Sequence, residues 1–174
     1  MRLLRLTLIA LLAIVWSAAA VPTRTPSEYE VKAAYLYNFA RFVEWPDARR
    51  DGPLVVGILG GGKFARAATA VFAEKMVRGR RLQIAEYDQP QDLAGCHILF
   101  VGHSAQRAQG AIFAKVRTQS VLVVGESEDF ARRGGIIGFI RRDDKLHFQI
   151  NIGAAERAGL KISAKLLRLA QVIR

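Results

Sequence analysis

Residues 55–66 read VVGILGGGKFAR. An apolar run stops at three consecutive glycines and a lysine, and a helix-like pattern follows. Strands of a parallel sheet that helices cover on both faces are apolar throughout, and glycine relieves backbone strain in a tight turn. The stretch therefore predicts a strand, a turn and a helix of an α/β domain.

The same alternation continues along the chain. HILFV at residues 97–101 and VLVV at residues 121–124 are further apolar runs. The remaining predicted elements are strands at 54–59 and 82–87, helices at 64–76 and 105–117, and a helical turn at 129–132. This order predicts one domain of three layers, α/β/α, around a mainly parallel sheet.

Helical signals also precede the first strand. Ser27 and Glu30 have the spacing of a capping box, and Pro46 ends the predicted helix, residues 27–45. Apolar residues recur along it at steps of three and four. They are Val31, Tyr35, Asn38 or Phe39, Phe42 and Trp45.

The carboxyl-terminal part has a different pattern. IIGFI and LHFQIN flank the polar turn RRDDK, which predicts an antiparallel hairpin. Helices are predicted at residues 153–158 and 163–172, with Asn151 and Ser163 as caps and Gly159 at the end of the first.

The first twenty residues have the order of a secretory signal peptide. Arg2 and Arg5 precede an apolar block, and Ala18 and Ala20 offer a cleavage site. Cleavage takes the formal net charge from +11 to +9 and leaves residues 21–27 as a linker and 28–174 as the domain. The basic residues are scattered and not interleaved with aromatic ones, so we expect phospholipid headgroups or an acidic protein face, and no nucleic acid, as partners of the exported protein. A solvated basic surface is the alternative.

No catalytic, cofactor or metal site is predicted. His97, His103 and His147 match no compact metal motif, and Cys96, the only cysteine, reads as a buried apolar residue. Ser104 follows a strand as a hydrolase nucleophile does, and an aspartate with His147 has the chain order of a triad. A helix cap at Ser104 explains the same placement.

The glycine-rich stretch partly matches a phosphate-binding loop. Gly57, Gly62 and Lys63 fit that pattern, but Phe64 stands where a hydroxyl would hold magnesium. A tight turn with a solvated lysine explains the sequence, and binding of a small anion by Gly61, Gly62 and Lys63 remains open.

Two blocks carry a family resemblance: EYEVKAAYLYNFARFVEWP at residues 28–46 and GGIIGFIRRDDKLHFQINIGAAERAGLKISAKLLRLA at residues 134–170. Together they resemble the YfiR-like family of exported bacterial proteins. The resemblance implies a non-enzymatic periplasmic repressor of an inner-membrane diguanylate cyclase, which lowers cyclic di-GMP and biofilm output. A sensor kinase in place of the cyclase is the alternative target, and the resemblance also implies an outer-membrane lipoprotein that can sequester the repressor.

The resemblance does not extend to redox control by an internal disulfide, because best-known members carry cysteine pairs and this chain has Cys96 alone. An intermolecular disulfide through Cys96 stays open. Dimerisation would be consistent with the family. Aromatic and basic residues anchor many interfaces, so the candidate partner contacts are Phe42, Trp45, Lys161, Lys165 and Arg168. Core packing of the aromatics and solvation of the cations are the alternatives. A periplasmic sensor that binds a metabolite at residues 60–64 is the second hypothesis.

Overall fold

The computed structural model describes residues 24–46, 51–90, 93 and 95–174; the predicted signal peptide lies outside them. The helices are α1 (Glu28–Phe42), α2 (Gly62–Phe72), α3 (Gln109–Val116), α4 (Ile152–Arg157) and α5 (Ala164–Leu167). A 3-10 helix, His103–Ala108, precedes α3. The strands are β1 (Val43–Glu44), β2 (Leu54–Leu59), β3 (Met76–Val77), β4 (Arg80–Tyr87), β5 (Ile98–Val101), β6 (Leu122–Gly125), β7 (Ile137–Arg142), β8 (Lys145–Asn151), β9 (Lys161–Ile162) and β10 (Gln171–Ile173).

Eight strands form the central sheet, in the order β10-β8-β7-β6-β5-β2-β4-β3. Four neighbouring pairs are parallel: β4 with β2, β2 with β5, β5 with β6, and β6 with β7. Two pairs are antiparallel: β7 with β8, and β3 with β4. The predicted α/β fold with a mainly parallel sheet and a carboxyl-terminal hairpin is confirmed.

The side chains of each central strand alternate between two hydrophobic cores. On β5, Ile98 and Phe100 join a core with α1 and α2, whereas Leu99 and Val101 join a core with α3. Alternation follows from the two-residue period of a strand, and burial of both faces explains why the strand is apolar throughout. The three predicted layers are therefore present.

The first helix begins as predicted and ends earlier. The Ser27 hydroxyl accepts from Glu30 N, and the Glu30 carboxylate accepts from Ser27 N at 2.7 Å. The helix ends at Phe42 instead of residue 45, because Val43 and Glu44 pair with β9. The buried face is also offset from the predicted stripe, and its members are Lys32, Ala33, Leu36, Phe39 and Ala40.

Two other helix predictions need correction. The chain from residue 163 forms only the single turn α5, and then β10 joins the sheet parallel to β8. Helix α2 ends at Phe72 because Met76 and Val77 form a short hairpin with β4. The caps at Asn151 and Ser163 are confirmed, and Gly159 follows α4 with a φ of +69°.

Within the described residues, no helix combines the length and the apolar character needed to cross a bilayer.

Candidate partner-binding surface

The short sheet formed by β1 and β9 brings two groups of sequence candidates together. Glu44 pairs with Lys161, and Ser163 N donates to the carbonyl of Phe42 at 3.0 Å. Phe42 is half-buried, and the Arg41 guanidinium lies 5.7 Å from its ring centroid. Phe42 therefore lies beside the start of α5, although the sequence separates them by more than a hundred residues.

Three exposed side chains lie in α5 or in the turn that continues it, where Arg168 N donates to Ala164 O and Leu169 N donates to Leu166 O. Lys165, Arg168 and Leu169 stand at steps of three and four residues, which places them together on a helical surface. Leu169 is 71% exposed, the largest value among the exposed large hydrophobic residues. Lys161, in β9 shortly before α5, is exposed as well, and these four residues are called the α5 surface below.

Trp45 is not an exposed contact. It is only 5% exposed, and its indole nitrogen donates to the carbonyl of His97 at 3.2 Å. A buried indole with a satisfied N–H is a packing residue. The core-packing interpretation therefore describes Trp45, which also lines a surface cavity with Arg78.

The glycine loop after β2 lies at the point where the strand order reverses. Strand β2 has β4 on one side and β5 on the other, and ligands of open α/β sheets bind beyond such strands. Here the loop after β5 occupies that position. Gly102 N donates to Leu59 O, and the Ser104 hydroxyl donates to Gly60 O, both at 2.8 Å.

These contacts explain the glycines without a phosphate cradle. Gly60 has a φ of +68°, and Gly61 is the N-cap of α2 without a side-chain hydrogen bond. Phe64, which replaces the hydroxyl of a phosphate-binding loop, is buried and stacks on Phe100 with centroids 3.8 Å apart. Gly62 and Lys63 are exposed at the start of α2.

Ser104 is neither a helix cap nor part of a triad. It lies inside the 3-10 helix, whose N-cap is Gly102, and its hydroxyl is bound to Gly60. In the described part of the chain it makes no hydrogen bond to His147 or to an aspartate. The predicted cap is therefore wrong, because the hydroxyl joins two loops instead.

The other chemistry-bearing side chains are also engaged in packing. Cys96 is fully buried, and His97 is 7% exposed with its Nδ1 accepting from Val55 N at 3.2 Å. Among residues 24–46, 51–90, 93 and 95–174, no three His, Cys, Asp or Glu side chains could hold a metal ion.

A buried cation that sequence reasoning missed lies on α1. The Lys32 side chain is 6% exposed and contacts Glu126 at 2.5 Å and Glu28 at 2.7 Å. Arg141 contacts the other oxygen of Glu28 at 2.8 Å, and Glu126 accepts from His103 N at 3.1 Å. This cluster ties α1 to the ends of β6 and β7.

The cluster changes the ionisation of two members. The hydrogen bond from Lys32 lowers the pKa of Glu28 below 4.5; partial burial opposes this shift, and the charges of Lys32 and Arg141 add to it. Burial acts to lower the pKa of Lys32, but the bonds and charges of Glu126 and Glu28 outweigh it and raise that pKa above 10.5.

Similar structures agree on the fold. A conserved domain protein from Vibrio cholerae is 12% identical with a TM-score of 0.60, over 85% of this chain and 60% of the other. The ABC domain of Streptococcus pneumoniae, solved in complex with L-Trp, is 11% identical with a TM-score of 0.53, over 68% of this chain and 55% of the other. This chain therefore spans little more than half the length of either protein.

Comparison with curated proteins gives no match. A sequence model of a protein family, in contrast, matches residues 29–171, from the first turn of α1 to the start of β10. The match includes both blocks that carry the resemblance, apart from Glu28, and every strand between them. The chain belongs to the YfiR/HmsC-like family.

Proposed function

We propose that this protein is a non-enzymatic periplasmic regulator that binds the periplasmic region of an inner-membrane diguanylate cyclase, or of a related sensor kinase, and represses it. Membership of the YfiR/HmsC-like family carries the proposal, since it is consistent with regulation of such a cyclase. Repression lowers cyclic di-GMP and biofilm output, and an outer-membrane lipoprotein competes for the repressor.

The α5 surface supplies a contact for such a partner. A regulator shifts its target only by binding one conformation more tightly than the other, so the contact must be specific. Leu169 offers exposed apolar area, while Lys161, Lys165 and Arg168 select an acidic partner face. Phe42, whose carbonyl accepts from Ser163 N, is half-buried and adds a partly accessible aromatic side chain.

Charge reversal tests this surface. In a deletion strain we expect intracellular cyclic di-GMP to rise, and the wild-type gene should restore the low level. Lys165→Glu/Arg168→Glu should weaken binding to the purified periplasmic region at least tenfold, because facing like charges cost several kcal/mol. That variant should then leave cyclic di-GMP high.

The matched control is Arg66→Glu/Arg81→Glu. It makes the same change of charge at exposed positions on α2 and β4, and it should repress normally. Normal repression by the α5 variant would reject this surface, and an unchanged cyclic di-GMP level on deletion would reject the function.

The glycine loop supports a second candidate, a periplasmic sensor of a small anion or metabolite. Helix α2 begins at Gly62 without a side-chain cap or an acidic residue in its first turn, and its free amides favour an anion. A side chain at Gly62 would meet no atom within 4 Å, so the approach is open.

A thermal-shift screen with periplasmic metabolites tests the sensor. A ligand at a hundred times its dissociation constant stabilises the protein by about 2.7 kcal/mol, which raises the melting temperature by several degrees. Lys63→Gln should abolish the rise, whereas Arg66→Gln on the same helix should keep it. A rise that survives Lys63→Gln would place the ligand elsewhere.

A further inference from the structure

A polar cavity lies beside the amino end of α3, and none of its lining residues belongs to the α5 surface or the glycine loop. Its volume is 610 Å³. The residues that line it are Gln106, Arg107, Gln109, Gly110, Phe113 and Arg133. Two arginines and a buried amide therefore converge on one opening.

Gln109 is the unusual member of this set. It is 4% exposed, and its Nε2 donates to the hydroxyl of Ser127, which is equally buried. Its Oε1 is buried and has no hydrogen-bond partner. Because a serine hydroxyl can donate as well as accept, the amide can turn over, and its NH2 group is then the one left without a partner. In either orientation this side chain, which belongs to a residue that lines the cavity, keeps one buried polar atom without a partner, which is costly.

The two arginines that line the cavity also lack partners among the described residues. Arg107 and Arg133 are exposed, and neither guanidinium has an ion pair or a hydrogen bond within the described part of the chain. The neighbouring Arg132 differs, because it contacts Asp129 at 3.4 Å. Guanidinium groups bind phosphate through paired hydrogen bonds, and an amide NH2 can donate a further one.

We propose that this cavity binds a phosphate-type oxyanion, with Arg107, Arg133 and the NH2 group of Gln109 as donors. The bound oxyanion gives the buried amide the partner it lacks and neutralises two adjacent cations. Phe113 also lines a second cavity of 200 Å³, whose other lining side chains include the apolar Val116 and Ile136 and the cations Arg117 and Arg157. The oxyanion can thus be free phosphate or the headgroup of a phospholipid whose chain extends past Phe113.

Titration of the purified protein with inorganic phosphate tests the site. We expect saturable binding by calorimetry and a shift of the Gln109 side-chain amide signal in an NMR spectrum. Arg133→Gln should weaken binding about tenfold, the loss expected for one charge-assisted bond. Arg132→Gln removes the same charge one residue away and should bind like the wild type.

Vesicles distinguish the two sources of the oxyanion. If the ligand is a headgroup, the protein should sediment with phosphatidylglycerol vesicles, and Arg133→Gln should lose this binding while Arg132→Gln keeps it. If the ligand is free phosphate, the calorimetric titration should show binding, whereas the protein should not sediment with the vesicles. The proposal fails if neither probe binds, or if both arginine variants lose binding equally, since equal loss reports net charge alone.

Discussion

Gly102→Ala is expected to lower the free energy of unfolding by roughly 3 kcal/mol, or to prevent folding. A Cβ at this position would lie 2.3 Å from the carbonyl oxygen of Gly60 and 2.9 Å from the Cα of Gly61. Both atoms are backbone, so no change of rotamer relieves the overlap. The loops after β2 and β5 would have to separate and break the bond from Ser104 to Gly60.

Urea denaturation followed by circular dichroism measures this loss, and Gly62→Ala is the control. A Cβ at Gly62 meets no atom within 4 Å, and Gly62 is the first residue of α2. Alanine there should leave stability unchanged or raise it by up to about 1 kcal/mol. Wild-type stability in Gly102→Ala would show that the two loops do not touch as described.

The sheet was predictable because its signals are local. Strands β2, β5 and β6 are apolar on both faces, and the turn at Asp143 and Asp144 is polar, with both residues at positive φ. Hydrophobic period and turn residues depend on the segment alone. The four parallel strands at 54–59, 82–87, 97–101 and 121–124, the hairpin and the caps at Ser27, Asn151 and Ser163 were therefore predictable from the sequence.

The errors arose where long-range pairing overrides local preference. Residues 163–172 have a helical pattern, yet β8 offers an open edge and recruits residues 171–173 as β10. Trp45 continues the spacing of α1, but pairing of Val43 with Ile162 ends the helix and turns the indole inward. Pairing between distant segments cannot be recognised from the sequence of either segment alone.

The residue types of the candidate contacts were predictable from the sequence, but their positions relative to one another were not. The cations of the α5 surface stand out in the sequence, whereas the exposure of Leu169 depends on α5 being only one turn long. The burial of Lys32 was predictable, because Lys32 lies four residues before Leu36 on the buried face of α1. It was missed because the predicted apolar stripe was offset from that face. A lysine on an apolar face requires a carboxylate, and Glu126 is its distant partner.

Lys32→Met is expected to lower the free energy of unfolding by about 3 kcal/mol at neutral pH, the loss typical of a broken buried ion pair. The Glu126 side chain is only 10% exposed, so its carboxylate would remain largely desolvated without its cation. Chemical denaturation of the two proteins measures the difference. Arg24→Met is the control, because Arg24 pairs with Glu30 at an exposed site and should cost less than about 1 kcal/mol.

The difference between wild type and Lys32→Met should also depend on pH. The Lys32 pKa is raised in the folded state, so the stabilisation by Lys32 is complete below 10.5 and declines as the pH rises through that higher pKa. The Glu28 pKa is lowered, so its contribution is complete above 4.5 and declines as the pH falls through the lower pKa. A stability difference that stays constant between about pH 3 and about pH 12, the practical limits of such a titration, would contradict both pKa shifts.

Lys32→Met/Glu126→Leu separates the ion pair from simple packing. The double variant removes both buried charges, so it should recover much of the stability lost in Lys32→Met alone. The expected coupling between the two positions is roughly 2 kcal/mol, within the range for residues in direct contact. If the double variant is instead as unstable as the sum of the single ones, the two side chains stabilise α1 independently, and the cluster at Glu126 is not what fixes this helix against the ends of β6 and β7.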